Sequence, residues 1–525
     1  MLRGIAVYGS LLGLASLALH LPFTWRWPQR ARRWLPWALT LALAGAALLD
    51  WTHASHYAYF LPSGINDRLI RTALWLSLAA LISFYTALLH TLHRRRYGWR
   101  SRYGYVLLAL LSVYAMLERR EAFRPRPAPP SRPAAVETGE RPRLLVVGLD
   151  TATLDAVLPL AGQGRLPFFA SLLQQGAYGR LESISPPQRD AVWASLATGK
   201  YPFKHGVTGG RIYPGGWIAP GSELRLLPVG IHFPKWGTLG RGPLTPRVYD
   251  REARALWEFL PRLGVPSGVV GWPAAAPASS APLFSLSDRF FFGEPEPGSS
   301  RPADLAQRAS LFRTKPQEID PGVRDRFGDH PPQPLLEAVA ADLWRESLAL
   351  SLLEQHPETG SLFLMLPGLR EASLRNFGGF SDVQFSGASE PAAQEAAARV
   401  AAYYELLDDL LADLWKRMEG KPRILAVVSA CGVEKREPGL WGDEREALRG
   451  TQEGAPDGVL ILHGEGIRPG ALLIEPRLVD LAPTLLYALG LPVSNDLDGQ
   501  VLTAALTKEF LAGHPLTFFP SYEGL

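Results

Sequence analysis

The apolar residues of this 525-residue chain are unevenly spread, and that sets the first limit on its fold. Four long apolar runs precede residue 120: Gly4–Phe23, Trp34–Trp51, Leu69–Leu92 and Tyr103–Leu117. A helix that crosses a bilayer needs about 20 apolar residues, with a range of roughly 17–25. The first three runs meet that length; the fourth is short and extends slightly at either end. The first run is also open to reading as a signal peptide, against which stand the lack of a small-residue cleavage site and the further runs that follow at once. The expectation is an α-helical membrane region of about four transmembrane helices over residues 1–120.

The loops between the runs set an orientation. The first carries Arg26, Arg30, Arg32 and Arg33, and the third carries Arg94, Arg95, Arg96, Arg100 and Arg102. The second, His53–Asp67, has no Lys or Arg. Basic loops stay on the cytoplasmic side, so with four spans the chain after residue 120 lies outside the cytoplasm. If the fourth run does not span, that part falls in the cytoplasm instead. Trp25, Trp27, Trp34, Trp51, Tyr57, Trp99 and Tyr103 suit an interfacial belt, and His20, Asp50 and His90 sit near span ends at headgroup level.

Residues 121–142 are rich in Pro and Arg without apolar period, which suits an extended linker. Beyond it, short apolar runs alternate with helical stretches. Leu144–Gly148, Leu362–Leu366, Ile424–Val428 and Val459–Leu462 read as buried strands. Leu166–Gln175, Ala253–Leu263, Leu335–Gln355, Ala392–Met418 and Leu478–Leu489 read as helices. Such alternation predicts an α/β domain over 143–525 with a mostly parallel central sheet. Two stretches rich in Gly, Pro and aromatic residues, about 209–251 and 290–334, read as cap insertions.

Charge and cysteine content narrow the functions. The formal net charge of +4 is concentrated in the N-terminal loops, so it speaks for membrane topology. No basic stripe interleaved with aromatics marks a nucleic-acid surface. Cys431 is the one cysteine, which excludes an intramolecular disulfide and a cysteine-based zinc cluster.

The stretch Leu144–Val207, with LLVVGLD at its start and Trp193, Ser195 and Thr198-Gly199 near its end, resembles the type I phosphodiesterase/nucleotide pyrophosphatase branch of the alkaline phosphatase superfamily. Ala255–Pro273, Gly454–Gly470 and Ile474–Gly499 resemble later segments of that family, in the same order. The resemblance implies an alkaline-phosphatase-like domain. It also implies two divalent ions, usually zinc, held by carboxylates and imidazoles at strand ends, with a Thr or Ser nucleophile.

Carried over position by position, the resemblance places few of those groups. The first metal-binding Asp falls on Asp150. The nucleophile, nine residues before Thr198, falls on Arg189, with Ser183, Ser185 and Asp190 nearby. The next Asp and His fall on Arg370 and Leu374, after the Pro367-Gly368-Leu369 turn. The Asp-His pair of the Ser-Asp-His-Gly turn falls on Ala430 and Cys431, and the last His falls on about Gln452. His205 matches a structural Lys-His-Gly turn, and His463 lies outside the ligand positions. Asp150 is thus the single match among seven positions. No catalytic residue and no metal are expected, and Arg189 and Arg370 are expected to face Asp150 as an ion-pair or anion site. The alternative in which the arginines point into solvent stays open, and Cys431 reads as a buried small residue.

The reading is a pseudoenzyme of the bacterial inner membrane with an extracytoplasmic domain. Binding, scaffolding or regulation at the cell envelope would be its work, with an envelope protein complex or an anionic ligand as partner. An active metal-dependent phosphodiesterase, nucleotide pyrophosphatase or envelope phosphotransferase, with two zinc or similar divalent ions, and a subunit of a membrane complex, are the alternatives.

Overall fold

The computed structural model describes residues 29–118, 141–207, 251–275, 281–292, 298–437 and 444–524, less 57, 62, 95, 96 and 421, together with short strands at Ile212–Pro214 and Glu223–Arg225. Two compact units divide the chain: Met1–Arg126 with Thr208–Pro246, and Pro127–Val207 with Arg247–Leu525.

In the first unit three helices are described: α1 (Gln29–His56), α2 (Ser63–Leu92) and α3 (Trp99–Glu118). Alanines bring α1 and α2 close. Leu39, Leu43, Ala46 and Ala47 pack with Leu76, Ala79 and Ala80, and Thr40 and Ser83 share a 2.8 Å hydrogen bond. Asp50 is buried, and His90 Nε2 lies 3.1 Å from Ser101 Oγ. The outward faces stay apolar, with Leu74, Leu78, Leu81 and Ile82 of α2 exposed. One helix among the described residues, Asn66–Leu92, is long and apolar enough to cross a membrane. This corrects the expectation of four. Residues 4–23 lie outside the described residues. In α1, Pro36, Thr40 and Asp50 interrupt the apolar run, and α3 opens on Arg100 and Arg102 and closes on Glu118. The expected linker over 121–142 also lies almost wholly outside the described residues.

The second unit is built on nine strands: β1 (Arg143–Leu149), β2 (Ala177–Leu181), β3 (Ser267–Trp272), β4 (Phe284–Ser287), β5 (Ser300–Arg301), β6 (Ser361–Leu366), β7 (Arg423–Ser429), β8 (Gly458–Gly464) and β9 (Ala471–Leu472). Their order is β9-β2-β8-β7-β1-β6-β3-β4-β5. The centre, β7-β1-β6-β3-β4, is parallel; β8 runs antiparallel to both its neighbours, as β5 does to β4. β1 and β6 are buried at nearly every position, which is why they read as unbroken apolar runs rather than alternating ones.

Helices α4 (Leu154–Gly162), α5 (Pro167–Gln175), α6 (Arg189–Thr198), α7 (Asp288–Phe292), α8 (Gln333–Gln355), α9 (Leu369–Ser386), α10 (Pro391–Arg417) and α11 (Leu481–Ala488) accompany the sheet. Two expected helices are shorter than read. Ala253–Leu263 is a four-residue α-turn, Leu256–Phe259, followed by a 3₁₀ turn, because Pro261 has no N–H to continue the ladder. Leu478–Leu489 opens as a 3₁₀ turn before α11. The expected cap insertion at 209–251 lies mostly outside the described residues. The one at 290–334 folds into short helical turns such as Leu305–Ser310 and Pro321–Asp325.

Candidate functional site

The site lies at the carboxyl ends of β1 and β4 and the amino ends of α6 and α9. β1 delivers Asp150, which is 4% exposed. Close packing requires glycine just before it: a Cβ at Gly148 would stand 2.7 Å from Met365 Sδ and 2.9 Å from the Trp193 ring. Thr151 follows in a left-handed conformation, φ +72°, an uncommon backbone for a β-branched residue, and is fully buried. Thr153 then caps α4 by accepting the Asp155 N–H.

Arg189 is the first residue of α6, directly after Gln188, whose extended backbone marks the start of the helix. Its Nε donates to Asp150 Oδ2 at 3.2 Å, and its Nη1 donates to Asp288 Oδ2 at 3.0 Å. Burial works against the Arg189 charge, and the Asp150, Asp288 and Asp190 carboxylates outweigh it, holding Arg189 above its usual range. Asp190 is itself pushed up, by burial first and by Asp288 second. Arg370, in the first turn of α9, brings its Nε to 3.9 Å from Asp150 Oδ2, with its side chain half-exposed. The structure therefore brings Asp150, Arg189 and Arg370 together. The first pair is a hydrogen-bonded ion pair; the Arg370 contact is longer than a hydrogen bond.

The remaining positions carry no chemistry of the expected kind. Leu374, one turn along α9, packs against the core. Ala430 and Cys431 follow β7 and are buried. Burial pushes the Cys431 thiol up to about 12, with the neighbouring Ser183 and Gln452 pulling it partly back and Asp150 adding to the rise. Gln452 Nε2 donates to the Gly432 carbonyl at 3.2 Å, so it ties down the turn that holds Cys431. His205 Nε2 lies 2.9 Å from Ser195 Oγ, and its Nδ1 accepts the Val207 N–H. With that tautomer, and with no exposure, His205 locks a turn.

Divalent ions require several converging anionic or imidazole donors. Of the seven positions, Asp150 supplies a carboxylate and Cys431 a thiol held in its neutral form, and two guanidinium groups stand beside Asp150. Among the described residues no group of three or more His, Cys, Asp or Glu is placed to hold a metal ion. This donor set does not fit a pair of divalent ions.

Four residues of the site went unread in the sequence. Asp288 is one, although a carboxylate just after the short alternating run Phe284–Ser287 was a usable signal. The others are Asp342 and Arg345 of α8 and Tyr403 of α10. Asp342 Oδ2 accepts the Gly368 N–H and the Tyr403 hydroxyl, both at 3.0 Å, at the head of the helix that carries Arg370. Arg345 is fully buried, with its guanidinium 4.1 Å from the centre of the Phe291 ring.

The family described as type I phosphodiesterase / nucleotide pyrophosphatase matches residues 144–435, which takes in every position above except Gln452. No curated protein matches the chain. Among solved structures, phosphonoacetate hydrolase from Sinorhizobium meliloti 1021 is 15% identical, with a TM-score of 0.34 over 57% of this chain and 58% of its own. This chain thus spans less than two thirds of that enzyme. Phosphonate monoester hydrolase from Silicibacter pomeroyi is 14% identical, with a TM-score of 0.40 over 70% of this chain and 78% of its own. Murine ectonucleotide pyrophosphatase/phosphodiesterase 5 is 12% identical, with a TM-score of 0.41 over 70% of this chain and 100% of its own.

Proposed function

This chain belongs to the type I phosphodiesterase/nucleotide pyrophosphatase family, and we propose that it is a catalytically inactive, membrane-anchored member that acts by binding. The observation that carries this reading is the Arg189–Asp150–Asp288 arrangement. A guanidinium cannot attack phosphorus. It also brings a permanent positive charge to the carboxylate that would otherwise face a metal ion. The cleft keeps its charge balance without metal, and loses both the nucleophile and the Lewis acid.

What remains suits an anionic ligand. Arg370 is half-exposed, and its 3.9 Å approach to Asp150 is longer than a hydrogen bond, so its guanidinium can take up an anion. Phosphate or sulfate esters are the chemistry such a group takes. Membrane anchoring is supported by the apolar helix Asn66–Leu92 and by the exposed leucines of α2. An extracytoplasmic domain at a bacterial inner membrane, acting in an envelope complex, is the rest of this reading; the arginine-rich first and third loops support it by favouring the cytoplasmic side for themselves.

The test is the metal content of the full chain, purified in detergent and equilibrated with zinc and manganese, alongside hydrolysis of a chromogenic phosphodiester. Less than about a tenth of an equivalent of metal and no turnover are expected, against the two ions of a bimetal site. Two tightly held ions per chain with turnover would overturn the reading and restore a metal-dependent phosphodiesterase. Reporter fusions at the C-terminus test the side of the membrane.

A further inference from the structure

The carboxylate of Asp342 sits where three elements meet. It projects from α8, is fully buried, and uses one oxygen for both of its hydrogen bonds. Oδ2 accepts the Gly368 N–H and the Tyr403 hydroxyl; Oδ1 accepts none. The junction has no slack, since a Cβ at Gly368 would lie 1.8 Å from Tyr403 Oη and 2.6 Å from Asp342 Oδ2. Gly368 immediately precedes α9, and Arg370 is two residues further on.

The groups that act on this carboxylate come from several directions. Arg345 lies on the same helix and favours the charged form, as do the Tyr403 hydroxyl of α10 and the Gly368 amide. Asp150, at the end of β1, opposes it. Arg189 and Asp288 act on Arg345, and Glu371 of α9 acts on Tyr403. β3 and β6, which also pack against α8, carry no charged residue, and Glu318 of the adjoining 3₁₀ turn is exposed. Burial is the largest influence, and the carboxyl is pushed up to about 7.

We propose that Asp342, Tyr403 and the Gly368 amide form a buried proton switch, which sets the hold on the first turn of α9 and with it the approach of Arg370 to Asp150. The ionised carboxylate gives Gly368 a charge-assisted bond. On protonation the hydrogen is carried by Oδ1, the oxygen without a partner, and the bond at Oδ2 becomes one to a neutral acid. The first turn of α9 is then held less firmly. The switch rests on the packing around Gly368 and stands whether or not the cleft binds a ligand or a metal.

Hydrogen exchange of the full chain in detergent, from pH 5.5 to 8.5 and corrected for intrinsic exchange, tests it on peptides covering Gly368–Ser373. Protection of these amides is expected to fall roughly tenfold as pH drops through neutrality, the ratio between a charged and a neutral hydrogen bond. Asp342→Asn is expected to remove that dependence. Tyr403→Phe deletes a bond that favours the charged form and is expected to move the midpoint upward. Glu346→Gln, on the next turn, should leave the profile unchanged. A flat wild-type profile, or an Asp342→Asn profile that keeps the wild-type slope, overturns the proposal. Should Asp342→Asn fail to fold, an unmoved midpoint in Tyr403→Phe does so.

Discussion

Arg189 Nη1 donates to Asp288 Oδ2 at 3.0 Å, across 99 residues of sequence, so the side chain at the position expected for a nucleophile is anchored to a carboxylate from another strand end. With Asp150 on its Nε, Arg189 bridges two nearly buried acids. The bridge makes Arg189 a structural cation whose removal has a definite cost.

Arg189→Ala leaves Asp150 and Asp288 without their shared partner. Breaking a buried pair costs about 3–5 kcal/mol, and the 28% exposure of the Arg189 side chain places this one at the lower end. Arg370→Ala, with a longer contact and a half-exposed side chain, should cost about 0–1 kcal/mol. Urea unfolding of both variants measures the difference; equal effects would mean that solvent screens the Arg189 pair as fully as the Arg370 one.

Gly368→Ala forces a methyl group into Tyr403 Oη and Asp342 Oδ2. Overpacking of this kind costs about 1–3 kcal/mol. Tyr403→Phe removes the nearest atom, so the double variant should lose less than the sum of the two single losses. Strict additivity in a thermal-unfolding cycle would show that the backbone moves away instead.

His205 gives the fold an acid limit. Burial, first, and the Arg251 charge, second, lower it from 6.5 to about 3. Between those values the unfolded chain binds a proton that the folded chain refuses, so stability is lost as pH falls through that window. Asp342 and Glu346, both pushed up to about 7 chiefly by burial, act in the opposite sense: the folded chain holds their protons longer, and stability declines as pH rises toward 7. Compared with the parent chain, His205→Gln should lose less unfolding temperature as pH falls from 6.5 toward 3, and the difference between the two should stay constant above that window.

Cys431 is the one cysteine in the chain, buried and with its thiol pushed up to about 12. Iodoacetamide at pH 8 should leave the folded protein unmodified and label one site after denaturation. Rapid labelling of the folded chain would mean that the Ser429–Gly432 turn opens.

Some of the fold was open to reading because it depends on local chemistry. β1, β6 and β7 are buried on both faces and so stand out as short apolar runs. α9 did not stand out: Gly378 and Gly379 interrupt it and read as breakers. In three dimensions they let α9 approach its neighbours, since a Cβ at Gly378 would lie 2.1 Å from the Ala447 carbonyl and one at Gly379 2.7 Å from Ala396 Cβ. The antiparallel course of β8 was equally hidden, because a strand buried on both faces has the same composition in either direction.

The sequence by itself determined the family framework and which side chains stand at the family's positions: Asp150 after β1, Arg189 ahead of Thr198-Gly199, Arg370 after Pro367-Gly368, and Ala430-Cys431 in the turn after β7. The tertiary structure alone decided what those side chains meet. Whether Arg189 finds Asp288, and whether Asp342 is a surface acid or a buried one beneath Gly368, depends on a sheet order that places β1 between β7 and β6 with β3 and β4 beyond. Composition and spacing follow the chain, whereas ion pairing and desolvation act over a few ångströms between segments that the chain keeps far apart.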